Sequence, residues 1–257
     1  MAPITKKIGW LILVCIFCSL QSKACVCSHI TFMDKYVQSD FVARIQIVKN
    51  YPNRGASLSY RSNIVIKQLF KGEPVKSILI EGSSDGKRRT SCDIYFKEGT
   101  EMLVYARRLD SGQYSFHSCS GYCVLDKTRP TTEMGEIEML DFLYKNNITF
   151  TDKTRYGTDL HDKLKTLSTT NLSKTFAIYE ITFKRDLQVD TVKTITGFTP
   201  DLDSEIAAIL QNARWVSDRI LIDGQKNSVP PGSKLLFGFY YYPSGGNNLG
   251  FISEYDL

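Results

Sequence analysis

Histidine is scarce in this chain, with three residues in 257, and the scarcity removes most catalytic readings at once. His29, His117 and His161 form no His-Glu-x-x-His pattern, and no serine or cysteine sits in a nucleophile motif. Gly245-Gly246 follows a strand-like run but lacks a phosphate-loop lysine and helix, and Gly82-Ser83-Ser84-Asp85-Gly86 reads as a solvated turn. Asp201 and Asp203 suit helix capping better than paired acid–base work. The run Phe116-His117-Ser118-Cys119 invites a thiol mechanism, yet Cys119 is better used in a bridge. No enzymatic activity, no cofactor and no metal of its own are expected. Strong charge of one sign is missing too. Three of the basic residues, Lys6, Lys7 and Lys23, stand in the first 24 positions without an acidic residue, so the formal +5 falls to +2 beyond them. That balance argues against a nucleic-acid partner.

Long apolar runs are also absent beyond the N-terminus. There, Lys6-Lys7 forms a basic region, Ile8 to Leu20 an apolar stretch, and Ser22 and Ala24 supply small side chains before Cys25. This is the three-part grammar of an export signal cleaved after Ala24. The apolar core falls short of the roughly 20 residues a spanning helix needs. Residues 1–24 are therefore expected to be a signal peptide, and the mature protein to be secreted or periplasmic with no membrane span. A second reading of the same cleavage point is a bacterial lipoprotein with Cys25 acylated, although Ser22 and Lys23 fit such a site poorly.

Seven cysteines become five after cleavage: Cys25, Cys27, Cys92, Cys119 and Cys123. All lie in the N-terminal half, so that half is built for an oxidising compartment and the second half does not rely on one. The one-residue spacing of Cys25 and Cys27 is not that of a zinc knuckle, which leaves disulfides as the better reading. Five is odd, so one thiol stands outside the intramolecular pairs or pairs between molecules.

Alternation over residues 40–49 predicts a half-buried strand, and Tyr60 to Phe70, Val75 to Glu81, Glu101 to Ala106 and Gln113 to Ser118 read the same way. Glycines punctuate these runs at turn-like intervals, the pattern of a barrel or sandwich. Thr132 to Lys145 reads as a helix capped by Thr132, with an apolar stripe on Ile137, Leu140 and Leu143. Residues 146–172 are polar and read as a linker, with a short helix around Leu160 to Leu167. Beyond it, Phe176 to Lys184 and Leu187 to Ile195 form two alternating strands. Leu202 to Ala213 is an amphipathic helix with Asp201 as its cap. Trp215, a strand at Arg219 to Ile222, an Asp223-Gly224 turn and a strand from Lys234 to Tyr242 complete a β-β-α-β-β order. The expected fold is β-rich and two-domain, with boundaries at 25–145 and 173–257.

The first half carries a resemblance. A mature start of Cys25-Val26-Cys27, the Asp40-Phe41-Val42-Ala43-Arg44 strand, Leu69-Phe70-Lys71-Gly72, Ser91-Cys92 and Ser118-Cys119-Ser120 resemble the tissue inhibitor of metalloproteinases family, in particular its bacterial members, from Cys25 to about Leu143. The resemblance implies a five-stranded OB-type barrel of the netrin-like kind with a flanking helix. It implies bridges Cys25–Cys92 and Cys27–Cys119, and leaves Cys123 as the odd cysteine, either a lone thiol or a competitor of Cys119 for Cys27. It also implies inhibition in trans. The α-amine and carbonyl of Cys25 chelate a protease zinc in place of its water, and Val26 points into the adjoining pocket. Cys27, Ser28, His29 and the Arg89-Thr90-Ser91 segment flank this ridge. Two features depart from the family pattern: Ser28-His29 is polar, and Lys87-Arg88-Arg89 has no counterpart there.

Phe176 to Tyr242 resembles the C-terminal domain of TonB-type proteins in its strand pair, its Leu202-Asp203-Ser204-Glu205-Ile206 helix start, Trp215 and an Asp-Gly turn before a closing strand. That resemblance implies peptide binding by strand addition at a sheet edge. The family's anchor and proline-rich spacer are missing. Two functions follow as expectations. One is inhibition of a zinc metalloprotease through Cys25. The other is a cell-envelope protein or peptide interaction module without inhibitory activity.

Overall fold

Ten residues of strict strand character, Phe41–Asn50 (β1), turn Phe41, Ala43, Ile45 and Ile47 to one side, and all four are wholly buried. Ser59–Lys71 (β2), Ser77–Glu81 (β3), Glu101–Arg108 (β4) and Tyr114–Phe116 (β5) supply the opposing walls. The computed structural model describes residues 27, 30–125, 130–150, 152–165, 167, 172–218, 228–243 and 250–254. The strands run in the order β1-β2-β3-β5-β4, and β4 pairs back onto β1 over Phe41↔Ala106 to Gln46↔Glu101, which closes an OB-like five-stranded barrel. Only the β3–β5 pairing is parallel among these. Register shifts at Val42/Ala43, Arg44/Ile45 and Ile47/Lys49 bend the long β1–β2 ladder, as a small closed barrel requires. Tyr60, Ile78, Ile80, Met102, Val104, Ala106, Tyr114 and Phe116 fill the interior. The pair Cys123–Val124 (β6) extends β4 outward.

The barrel's outer face is not left to water. Val42, Phe70, Leu103 and Tyr105 point away from the interior and are buried under two helices, Phe32–Gln38 (α1) and Pro130–Lys145 (α2). Thr31 caps α1, its hydroxyl accepting the Asp34 amide at 3.2 Å. The other side of this helical layer lies against a second sheet. Phe176–Phe183 (β8), Val189–Thr196 (β9), Ser233–Tyr242 (β11) and Phe251–Ser253 (β12) form it in the antiparallel order β12-β11-β8-β9. Ile178, Leu236 and Tyr240 of that sheet join Phe32, Met33, Met139, Leu140 and Leu143 in one apolar cluster. Gly238 makes the approach possible: a Cβ there would meet Met139 Sδ at 2.8 Å. The sheet's opposite face carries Ala177, Tyr179, Ile181, Leu235, Phe237 and Phe239 against Leu202, Ile206 and Leu210 of Pro200–Gln211 (α4). Buried on both faces, β11 has no polar alternation to show, which explains its unbroken Leu235–Tyr242 run.

The stretch expected as a linker holds structure of its own. Tyr156–Thr158 (β7) pairs with Trp215–Ser217 (β10) as a two-stranded ribbon, and Leu160–Leu164 (α3) buries Leu160 and Leu164 in the second core. Two sequence expectations are corrected in detail. Helix α2 begins at Pro130, a residue suited to a first helical position because it has no N–H to leave unbonded, so Thr132 is inside the helix and does not cap it. The cap of α4 is Thr199, whose hydroxyl accepts from Leu202 N, while Asp201 sits in the first turn. The sheet takes its fourth strand from Phe251–Ser253; the expected strand at Arg219 to Ile222 falls outside the described residues.

Candidate functional site

Two cysteines of the expected ridge can be placed. Cys27 bridges Cys119 across 92 residues of chain, with Cα atoms 5.3 Å apart. The bridge joins the segment ahead of α1 to the loop between β5 and β6, at the rim of the barrel. His117 Nδ1 accepts the Cys119 amide at 3.1 Å, and Ser120 Oγ accepts the His117 amide at 3.0 Å, so the loop is pinned on both sides of the cystine. Cys92 is also disulfide-bonded. Cys25, its expected partner, and Val26, Ser28 and His29 lie outside the described residues. Cys123 keeps its thiol, on β6 opposite Leu103.

Thr90 and Ser91 are exposed in a long loop between β3 and β4, and the loop is ordered by its own side chains. Thr90 Oγ1 donates to Asp93 Oδ1 and accepts the Cys92 amide at 3.3 Å. Asp93 Oδ2 accepts the Arg89 amide at 2.8 Å. The Thr90 hydroxyl, with the Arg89 and Thr90 amides, holds the Asp93 carboxyl below the usual carboxylate range. Asp85 is lowered in the same way by Ser83 Oγ and the Lys87 amide. At the loop's root, Gly82 adopts φ 144°, and a Cβ there would lie 2.2 Å from Ile94 O, so only glycine lets the loop's two ends close. Lys87, Arg88 and Arg89 stand exposed on the outside of this loop.

Beside the Cys27–Cys119 bridge opens a cleft of about 660 Å³ that sequence reasoning did not anticipate. Its walls come from the barrel (Tyr105, Arg107, His117), from α1 (Asp34, Lys35, Gln38) and from the β7–β10 ribbon with its flanks (Arg155, Val216, Asp218). The ribbon's two faces differ. Tyr156 stacks on Phe183 at 4.8 Å and Trp215 packs edge-on to it at 5.3 Å, which places the aromatic face in the second core. Val216, opposite Gly157, is on the other face and 39% exposed. Burial pushes the Asp34 carboxyl up, against the pull of the Thr31 hydroxyl and Arg155, while Asp218 adds to the rise. Behind the cleft, Lys35 Nζ meets Glu136 at 2.6 Å and lies 5.2 Å over the Tyr105 ring, and the Tyr105 hydroxyl donates to the same carboxylate. That network ties α1, α2 and β4 together at the junction of the two halves. Among the described residues no group of three His, Cys, Asp or Glu side chains is placed to hold a metal, and no helix is long and apolar enough to cross a membrane.

No protein-family model matches the chain, and no curated protein matches it.

Proposed function

We propose that the protein is an exported inhibitor of a zinc metalloendopeptidase, acting through the α-amine and carbonyl of Cys25. The observation that carries the reading is the Cys27–Cys119 bridge on the rim of an OB-like barrel, two residues from the expected mature terminus. A chelating terminus has to be held still before it meets the metal, because ordering lost at binding subtracts from affinity. Bridging Cys27 to a pinned loop does this for the residue that follows Val26, and Cys92, itself disulfide-bonded, lies next to exposed Thr90 and Ser91. A protease zinc keeps one coordination position for water, and an α-amine titrating near roughly 7.7–8 has its lone pair available around neutral pH at little cost.

The second reading, an envelope interaction module, draws its support from β9. This eight-residue strand forms one edge of the four-stranded sheet, and Asp190, Thr191, Lys193 and Thr194 along it are exposed. Such an edge is where strand addition by a peptide takes place.

The two readings separate in one assay. The secreted mature protein is tested against a panel of zinc endopeptidases beside a version with one alanine added before Cys25. Inhibition that disappears with the added alanine supports chelation by the terminal amine. Absence of inhibition by both forms well above micromolar concentration sinks the first reading and leaves the second.

A further inference from the structure

The cleft beside the cystine has charged walls of opposite sign that the fold itself leaves unneutralised across the gap. On the helix and ribbon side, Asp34 and Asp218 flank Arg155, and the charges that act on Asp34 are those of Arg155 and Asp218. That trio carries a net negative charge when both carboxylates are ionised. On the barrel side stands Arg107, which makes no side-chain hydrogen bond or ion pair among the described residues. Beside it is His117. Its Nδ1 is taken by the Cys119 amide, so the neutral ring carries its proton on Nε2 as a donor. Lys35, which also lines the cleft, is already spent on Glu136. Between the walls lies apolar Val216. A volume of about 660 Å³ falls in the range of roughly 300–1,000 Å³ typical of small-ligand sites.

We propose that this cleft binds a short ligand bearing an ammonium and a carboxylate on an apolar spacer, the carboxylate held by Arg107 and the ammonium by Asp34 and Asp218, with the spacer over Val216. A guanidinium presents a fork that matches a carboxylate in two parallel bonds, and charge-assisted bonds of this kind are the strong ones. A ligand with only one charge leaves the opposite wall uncompensated, so selection is for the pair. The same chemistry has two sources: the two ends of a free di- or tripeptide, and paired basic and acidic side chains within a segment of a larger protein. The assignment is independent of zinc chelation by Cys25.

The test is calorimetric titration of the mature chain with the tripeptide Gly-Val-Gly, with its N-acetylated and C-amidated forms, and with the capped segment acetyl-Lys-Val-Asp-amide. Saturable binding of an uncapped or internally charged probe is expected. Capping either end of Gly-Val-Gly weakens it by roughly tenfold or more, as loss of one charge-assisted contact does. R107Q makes binding indifferent to amidation, and D218N reduces the penalty of acetylation. Both residues are exposed, so the variants keep the parent's thermal midpoint and the loss cannot be ascribed to unfolding. V216R blocks the spacer's seat and abolishes binding of every probe. Preference for free Gly-Val-Gly identifies a free peptide as the ligand; equal binding of the capped segment identifies a protein segment. No saturable binding of any probe at millimolar concentration overturns the proposal. Binding that is unchanged by capping or by R107Q overturns it as well.

Discussion

The two halves of the molecule solve the same stability problem with different materials. The barrel half carries every cysteine beyond residue 24, and the second half carries none. The described bridge does not run through the barrel's interior, which is closed by Tyr60, Phe116 and the aliphatic residues of β1 and β4. It lies at the rim, where loops have little apolar area to bury. The second half instead chains its aromatic rings: Tyr156 on Phe183, Phe183 against Trp215, Trp215 against Phe237, and Phe237 against Phe239, all with centroids within 5.7 Å. Covalent staples thus serve the barrel's loops, and ring packing serves a sheet that is covered on both faces. Between them lies a helical layer that belongs to neither half alone.

The largest way to break this contrast is to remove the rim bridge. Closing a loop of 92 residues stabilises by about 4–5 kcal/mol in the chain-entropy model, so Cys27→Ser with Cys119→Ser is expected to cost that order. Of the two tryptophans, Trp10 and Trp215, only Trp215 falls within residues 25–257, and it is buried in the second core. Its fluorescence therefore reports on the half that has no disulfide. With the helical layer shared, the Trp215 transition in denaturant should shift together with the circular-dichroism transition of the whole chain. A Trp215 midpoint unmoved by the double substitution would show that the halves unfold separately.

Next in size is the ionic contact inside the shared layer. The side chains of Lys35 and Glu136 are 13% and 4% exposed, and removing one partner of such a pair leaves a buried charge, at a cost of about 3–5 kcal/mol. Glu136→Gln keeps an acceptor for the Tyr105 hydroxyl but strands the Lys35 ammonium. The expected loss is therefore at the lower end, about 3 kcal/mol, measured by chemical denaturation. Lys35→Met with Glu136→Leu should recover most of it, because apolar groups of similar volume do as well there as the ions. A double variant as unstable as the single one would mean the network, not its charge balance, holds the layer. Smaller again is Gly238→Ala, whose Cβ meets a flexible methionine sulfur at 2.8 Å. Displacing Met139 should cost about 1–3 kcal/mol as overpacking, and Met139→Ala in the same chain should relieve part of that strain.

The contrast between the halves also decided what could be read from sequence. The strands β1, β2, β8 and β11 were legible because each is long enough to show alternation or an unbroken apolar run. Helix α1 was missed: it spans seven residues, too few for a helical period to stand out, although Thr31 with Asp34 three positions on was a capping signal. The ribbon was missed for a related reason. Three-residue strands carry no pattern, and Tyr156 finds Ser217 only through a chain-distant pairing. The pairing of Cys27 with Cys119 was legible only through the family resemblance, since five cysteines allow many connectivities. The cleft was illegible altogether. Its walls come from five separated stretches, and no local pattern announces that Arg107 and Asp218 will face one gap.

The smallest effect expected is a pH dependence seated where α1 ends. Lys71 Nζ donates to Tyr36 O at 2.8 Å and lies 4.7 Å over the Tyr36 ring, so a strand residue of the barrel caps the helix above it. Burial pulls its ammonium down from 10.5 to about 8, only partly offset by Asp40. Between about pH 8 and 10.5 the unfolded chain then binds more protons at this residue than the folded one. Stability contributed through Lys71 must therefore rise with pH across that window, the reverse of an ordinary lysine that gains a partner. The ammonium is part-exposed and screened, which keeps the gain to roughly a fraction of a kcal/mol. Denaturation midpoints of the parent and Lys71→Met, compared from pH 7.5 to 9.5, should show the parent gaining on the variant as pH rises. The range stops there because the raised Tyr36 hydroxyl acts in the opposite sense above about pH 10. A difference that stays flat, or that shrinks the parent's advantage with rising pH, would show that the capping carbonyls hold the ammonium charged and that burial does not govern its titration.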